Sequence, residues 1–173
     1  NTASTSVGLR STSTTPSTAA TGTIAVAQSV SVTVADTSSG TTSTPTGTVS
    51  FSAASGTFDS ADCTLVAGTC SVNYTPATGD AGTTISIKGT YSGDTDHSVS
   101  DDTAATDIGT RSSSTDVTTA ATGTVAISQQ VDVTVADTDS GTASTPSGTV
   151  SFDDNGANGT FDSADCTLVA GTC

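Results

Sequence analysis

The sequence contains no glutamate, no methionine and no tryptophan, and only three basic residues: Arg10, Lys88 and Arg111. Leu and Lys are also scarce, so the long-chain helix formers are nearly missing and a helical fold is disfavoured. Three cations cannot displace counterions from a phosphate backbone, which excludes nucleic acid as a partner. An anionic membrane surface is disfavoured for the same reason. No stretch approaches the ~20 apolar residues of a spanning helix, so no membrane insertion is expected in this segment. Aromatic residues amount to two Tyr and four Phe. Leu, Ile, Val and Phe together number 28 of 173 residues, against a net charge of −14. Taken alone, those two values are the signature of a disordered chain.

What is present argues the other way. There are 40 Thr and 28 Ser, and all 17 acidic residues are Asp. Thr and Val favour strands because a β-branched side chain fits a pleated surface. The few apolar residues also alternate strictly. Val30, Val32 and Val34 alternate with Ser29, Ser31 and Thr33; Val49 and Phe51 with Thr48 and Ser50. Cys70, Val72 and Tyr74 alternate with Ser71 and Asn73, and Ile85 and Ile87 with Thr84, Ser86 and Lys88. Each run gives one apolar and one hydroxyl-rich face, the pattern of a half-buried antiparallel strand. Clusters of Gly, Pro, Asp and Ser, such as residues 36–45 and 76–82, separate the runs as turns.

The chain also repeats. At an offset of 101, Thr18-Ala19-Ala20-Thr21-Gly22-Thr23 matches residues 119–124, and Gly47-Thr48-Val49-Ser50-Phe51 matches residues 148–152. Two residues are inserted within 153–158, and Phe58 to Cys70 then matches Phe161 to Cys173 at an offset of 103. Residues 1–9 read as the tail of a preceding repeat, 10–110 as a complete repeat and 111–173 as part of a second. Residues 105–111 read as the linker. A period near 100 residues suits one immunoglobulin-like sandwich and is too long for a solenoid coil. The expected fold class is all-β, as tandem immunoglobulin-like antiparallel β-sandwiches.

The ordered set Gly47-Thr48-Val49-Ser50-Phe51, Tyr74-Thr75-Pro76, Gly82-Thr83-Thr84-Ile85 and Tyr91-Ser92-Gly93-Asp94, followed by Ser98 and Ser100, resembles the bacterial immunoglobulin-like repeat domains of large extracellular surface proteins. The resemblance covers residues 10–110 and part of 111–173. It implies an extracellular, multi-domain, non-catalytic role and carries no catalytic residues to this chain. Related surface domains can contain Lys–Asn or Lys–Asp isopeptide crosslinks, but alternation puts Lys88 on an outer face, away from any buried partner.

The four cysteines form two copies of Cys-Thr-Leu-Val-Ala-Gly-Thr-Cys, at 63–70 and 166–173. If Val66-Ala67 forms a hairpin turn, Cys63 faces Cys70, with Cα atoms roughly 4.5–5.5 Å apart. That lies inside the disulfide range of ~4.4–6.8 Å. Cys63–Cys70 and Cys166–Cys173 bonds are expected, which place the protein in an oxidising compartment or outside a cell. Zinc binding and free thiols are the alternatives; zinc sites favour closer pairs, usually joined by His.

No cofactor is expected, with calcium as the one alternative. The loop after the second strand and the last hairpin loop of such a sandwich share the pole that receives the incoming linker. Asp36, Asp94 and Asp96 fall there, while Asp137 and Asp139 of the next repeat would lie near Asp107. Carboxylates converging at a junction suit a hard cation. Solvated turn Asp is the plainer reading, with Arg10 and Arg111 as competing partners. Asn73-Tyr74-Thr75 and Asn158-Gly159-Thr160 are N-glycosylation sequons, and residues 11–18 and 112–114 are candidates for O-linked sugars. His97 reads as a surface loop residue. A Ser-His-Asp triad requires His to be oriented by an acid and to contact a Ser; among so many Ser and Asp, residue types alone say nothing.

The expected role is mechanical: an extracellular stalk, sheath or filament at a cell surface, whose partners are neighbouring repeats or identical subunits. An adhesin module binding carbohydrate or a receptor is the alternative, as is a virion decoration or tail domain. An enzyme is the least expected class, and only a clustered, buried constellation would revive it.

Overall fold

The computed structural model describes residues 5–173, so the first four residues of the expected preceding tail lie outside it. The fold is nearly all β and divides into two compact units, one ending at Thr110 and one spanning Arg111–Cys173.

Among the described residues, the first unit contains nine strands in chain order. They are β1 (Thr12–Thr18), β2 (Thr21–Thr23), β3 (Gln28–Asp36), β4 (Thr48–Ala53), β5 (Thr57–Phe58), β6 (Asp62–Thr64), β7 (Thr69–Thr75), β8 (Thr83–Tyr91) and β9 (Ser100–Gly109). A single 3-10 turn, Thr78–Asp80, leads into β8. The strands form a four-stranded sheet in the order β1-β3-β7-β5 and a five-stranded sheet in the order β2-β9-β8-β4-β6. All pairings are antiparallel except β2 with β9, which is parallel.

Alternation decides which face of each strand is buried. Val30, Val32, Val34, Val72 and Tyr74 come from the first sheet, and Val49, Phe51, Ile85, Ile87, Tyr91 and Ile108 from the second. They form one cluster, so the two sheets pack face to face around a shared interior. A tilted aromatic row links the layers, with ring centroids 5.9 Å apart for Phe51 and Phe58 and 5.1 Å for Phe58 and Tyr74. The Tyr74 hydroxyl donates to the Ser55 carbonyl at 2.8 Å, which satisfies its only polar atom inside the core.

Strand β9 runs from Ser100 to Gly109, so most of the segment expected as linker is strand. Thr106 and Ile108 face inward, at 1% and 2% exposure, and β9 pairs with β8 over nine residues. The expectation erred because residues 104–108 contain only one large apolar side chain, Ile108, to reveal the alternation. Only residues 110–112 separate β9 from the next strand, β10.

Both disulfides are present, with Cα separations of 5.9 Å. Their setting differs from the expected ladder pair. The turn is Ala67-Gly68, closed by a Val66–Thr69 bridge, and both central residues have positive φ, 52° and 79°. That is the backbone of a two-residue hairpin turn whose twist matches the strands it joins. Gly68 belongs there for a second reason: a Cβ on it would lie 3.0 Å from the Val34 carbonyl oxygen. Beyond the turn the two arms separate into different sheets. Cys63 on β6 pairs with Val49, and Cys70 on β7 pairs with Val32. The Cys63–Cys70 bond therefore ties one sheet to the other.

The second unit contains β10 (Ser113–Thr119) paired with β11 (Val131–Asp137), and β12 (Thr149–Ser151) paired with β13 (Asp165–Thr167). The turn recurs at Ala170-Gly171, with φ of 51° and 80°. Cys173 exchanges backbone hydrogen bonds with Val133 of β11, and its sulfur is bonded to Cys166 of β13, so this disulfide joins the two ribbons. Val133 is buried, whereas Val117, Val125 and Ile127 are more than half exposed.

Two stability tests follow. The variant Cys63→Ala/Cys70→Ala should lose roughly 2.5 kcal/mol, the chain-entropy contribution of an eight-residue loop, and reductant, which opens both disulfides, should lower the urea midpoint of the unmodified chain at least as far as the variant does. Ile87 is fully buried. Ile87→Ala should cost about 2–5 kcal/mol for lost transfer energy and the residual cavity, measured by the same urea titration.

Candidate functional site

Antiparallel pairing brings one end of β1, β3, β4, β8 and β9 to the same pole of the first unit. Thr12 opposes Asp36, Val49 opposes Tyr91, and Tyr91 opposes Ser100. The loop 37–47 after β3, the loop 92–99 after β8 and Arg10 just before β1 therefore converge. Backbone bonds fix Arg10 against the second loop: its N–H donates to the Asp96 carbonyl at 2.8 Å, and its carbonyl accepts from the Ser98 N–H at 2.9 Å.

Two carboxylates organise this pole. Asp36 Oδ2 accepts from Arg10 Nε at 2.6 Å and from the Ser43 N–H at 3.0 Å, and its Oδ1 accepts from the Ser38 N–H at 2.9 Å. The Ser43 N–H foremost, then Arg10 and the Ser38 N–H, outweigh burial and lower the Asp36 pKa from 3.8 to about 2. Asp94 Oδ2 accepts from the Thr46 N–H and hydroxyl at 2.8 and 2.9 Å. Its Oδ1 accepts from the Asp96 N–H, the His97 N–H and His97 Nδ1 at 2.9, 2.8 and 2.8 Å. Desolvation pushes Asp94 upward, but those donors, led by the Thr46 N–H, hold it far below the usual carboxylate range. The Tyr91 hydroxyl is buried nearby without a hydrogen bond of good geometry. Burial first, and the neighbouring Asp94 second, push its pKa up to about 12.

His97 is 2% exposed, contrary to its reading as a surface residue. Its position in a Gly-Asp-Thr-Asp-His loop suggested exposure, but Asp94 captures both its backbone and its ring and turns it inward. The Nε2 atom lies 2.8 Å from Ser43 Oγ. Because ionised Asp94 can only accept, Nδ1 carries a proton; in the neutral ring Nε2 is then an acceptor, and the Ser43 hydroxyl donates to it. The pole thus contains a continuous Ser43–His97–Asp94 chain, with Ser43 exposed and His97 enclosed. Sequence reasoning missed Ser43 and Thr46 entirely. They lie 54 and 48 residues from their partners, and no local pattern marks them.

The remaining candidates are placed as follows. Asp36, Asp94 and Asp96 do share the pole, where Asp96 contributes its backbone and leaves its side chain exposed. Asp107 lies on β9 and accepts from Thr84 Oγ1 at 2.5 Å. In the second unit, Arg111 Nε donates to Asp137 Oδ2, which also accepts the Ser144 N–H at 2.7 Å, repeating the Arg10–Asp36–Ser43 arrangement. Asp139 accepts the Ser112 N–H, and its carbonyl accepts from Arg111 Nη2 at 3.2 Å. The Arg111–Asp137 pair is almost fully enclosed. Hydrogen bonds from Arg111 and then from Ser144 hold Asp137 well below its ordinary value. Among the described residues, no three His, Cys, Asp or Glu side chains gather as a cation site. Asn73 is exposed on β7, but its Nδ2 donates to Asp59 Oδ2 at 2.8 Å. Asn158 is exposed on the rim of a cleft of about 740 Å³ that Ile127, Phe152 and Phe161 also line. Lys88 faces outward and pairs with Asp101 at 2.8 Å.

The lowered carboxylates set a pH dependence. Between pH 3.8 and about 2 an unfolded Asp36 binds more protons than a folded one, so stability rises with pH through that window. The contribution is complete above pH ~4 and is lost as pH falls toward ~2. Thermal midpoints should therefore be flat from neutral pH down to ~4 and fall below it. Asp36→Asn should lower the midpoint at neutral pH and reduce the acid slope, as followed by circular dichroism.

No family model, no curated protein and no solved structure matches this chain.

Proposed function

We propose that the chain is part of an extracellular array of immunoglobulin-like β-sandwich repeats with a structural role: a stalk, sheath or filament at a cell surface. The observation that carries this reading is the recurrence of one local design about a hundred residues apart. It comprises the Arg10–Asp36 and Arg111–Asp137 pairs, the two positive-φ Ala-Gly turns and the two eight-residue disulfide loops. A chain that repeats its fastenings at a fixed interval is built to place similar bodies in series. The sheet orders β1-β3-β7-β5 and β2-β9-β8-β4-β6, with the first edge divided between the layers, support an immunoglobulin-like arrangement. Disulfides favour an oxidising setting. The acidic, hydroxyl-rich outer faces keep a long exposed polymer hydrated and repel like surfaces.

Electron microscopy of the native assembly tests this reading. Ten-residue β9 at ~3.3 Å per residue gives a body on the order of 30–40 Å long, so beads or a helical repeat near that spacing, at the cell surface, are expected. A monodisperse intracellular particle would reject the proposal.

A further inference from the structure

Beyond a structural role, we propose that Ser43, His97 and Asp94 form a working nucleophilic relay that takes an acyl group from small carboxylic esters. The geometry has the three features such chemistry needs. A base touches the nucleophile: Nε2 of His97 lies 2.8 Å from Ser43 Oγ and accepts its proton. The base is oriented: Asp94 holds Nδ1 at 2.8 Å and stabilises the imidazolium that forms. The nucleophile is reachable: Ser43 is exposed and lines a cleft of about 450 Å³ together with Val7, Leu9, Arg10, Thr41 and Thr95.

The donor for the developing oxyanion is Arg10. Ser43 cannot use its own N–H, which is committed to Asp36. Arg10 Nε binds that same Asp36 oxygen, which keeps the guanidinium beside Ser43, and the Arg10 side chain, 28% exposed, lines the same cleft. A cationic group beside the nucleophile can stabilise the charge that appears on the substrate carbonyl. The exposed apolar side chains of Val7 and Leu9 suit a short acyl or alkoxy group.

The steps balance without an oxidant or metal. Ser43 Oγ forms a bond to the ester carbonyl carbon while its proton passes to His97 Nε2. The carbon–alkoxy bond breaks, the alkoxide takes that proton, and an alcohol leaves acyl-Ser43. Water then attacks the acyl carbon, giving one proton to His97, which returns it to Ser43 Oγ as the carboxylic acid departs.

The chain supplies its own control. Ser144 occupies the matching position in the second unit and makes the matching N–H bond to Asp137, but the sequence has only one histidine, and it is bonded to Ser43. The oxidised 173-residue chain would be treated with an alkyl fluorophosphonate, and each serine's adduct quantified by peptide mass spectrometry. General-base assistance is worth about 10²–10⁴-fold, so Ser43 should label at least ~100-fold faster than Ser144. Ser43→Ala should remove that adduct and the burst of p-nitrophenol from p-nitrophenyl acetate, with an unchanged circular dichroism spectrum. His97→Gln should reduce Ser43 labelling to the Ser144 rate. Equal labelling of Ser43 and Ser144, no labelling of either, or Ser43 labelling that persists in His97→Gln would overturn the proposal and leave the cluster as a fastening of the two loops. Because the Ser43-to-Ser144 ratio is read within one unmodified chain, the result stands even if the His97 variant fails to fold.

Discussion

Val30, Val32 and Val34 from one sheet and Val49, Ile85 and Ile87 from the other share a single interior, and the first unit depends on that shared burial. The interior is thin. Five of its twelve members are valine, and the two tyrosines supply much of its volume while remaining fully buried. A small apolar interior gives a small hydrophobic driving force, roughly proportional to the area removed from water. Each side chain therefore counts for more than it would in a larger core. The alternation cannot slip by one residue without turning the whole apolar set outward.

Around that interior the chain adds fastenings of other kinds. The Cys63–Cys70 bond crosses from β6 to β7 and prevents the layers from separating at that edge. At one pole, Asp36 and Asp94 collect backbone N–H groups from two loops and hold Arg10 and His97 between them. A carboxylate that accepts several N–H bonds orders a loop with few apolar side chains to pack; in 37–47 only Pro45 is buried. Loops rich in Ser, Thr, Gly and Asp need such a device, since they bury almost no apolar area. Asp is also better suited than Glu to this task, because its short side chain closes Asx-type turns such as those from Asp36 to Ser38 and from Asp94 to Asp96. The complete absence of Glu fits a chain whose acids are turn-formers.

The same pole shows how a structural cluster can acquire chemical potential. The constraint that turns His97 inward also presents its far nitrogen to Ser43. In the second unit the arginine, aspartate and serine recur with the same bonds. The Arg–Asp–Ser fastening is thus the element that recurs in both units.

The strands with β-branched alternation, β3, β4, β7 and β8, were legible before any coordinates, because a period of two with apolar residues on one side has a single low-energy reading. The two cysteine pairs were legible from their spacing. Less could be read where side chains were small or polar. Residues 105–111 read as a linker although 105–109 end β9, because Ala and Thr do not announce an inward face. The cysteine spacing alone reads as a rung within one hairpin, since nothing local tells that its arms part into separate layers. Composition and periodicity alone determined the β character, the inward faces and the cysteine partners, because these depend on neighbours within a few residues. The layer assignment of β6 and β7, the burial of His97 and its meeting with Ser43 were decided only in three dimensions. Each depends on bringing together segments that local physics leaves independent.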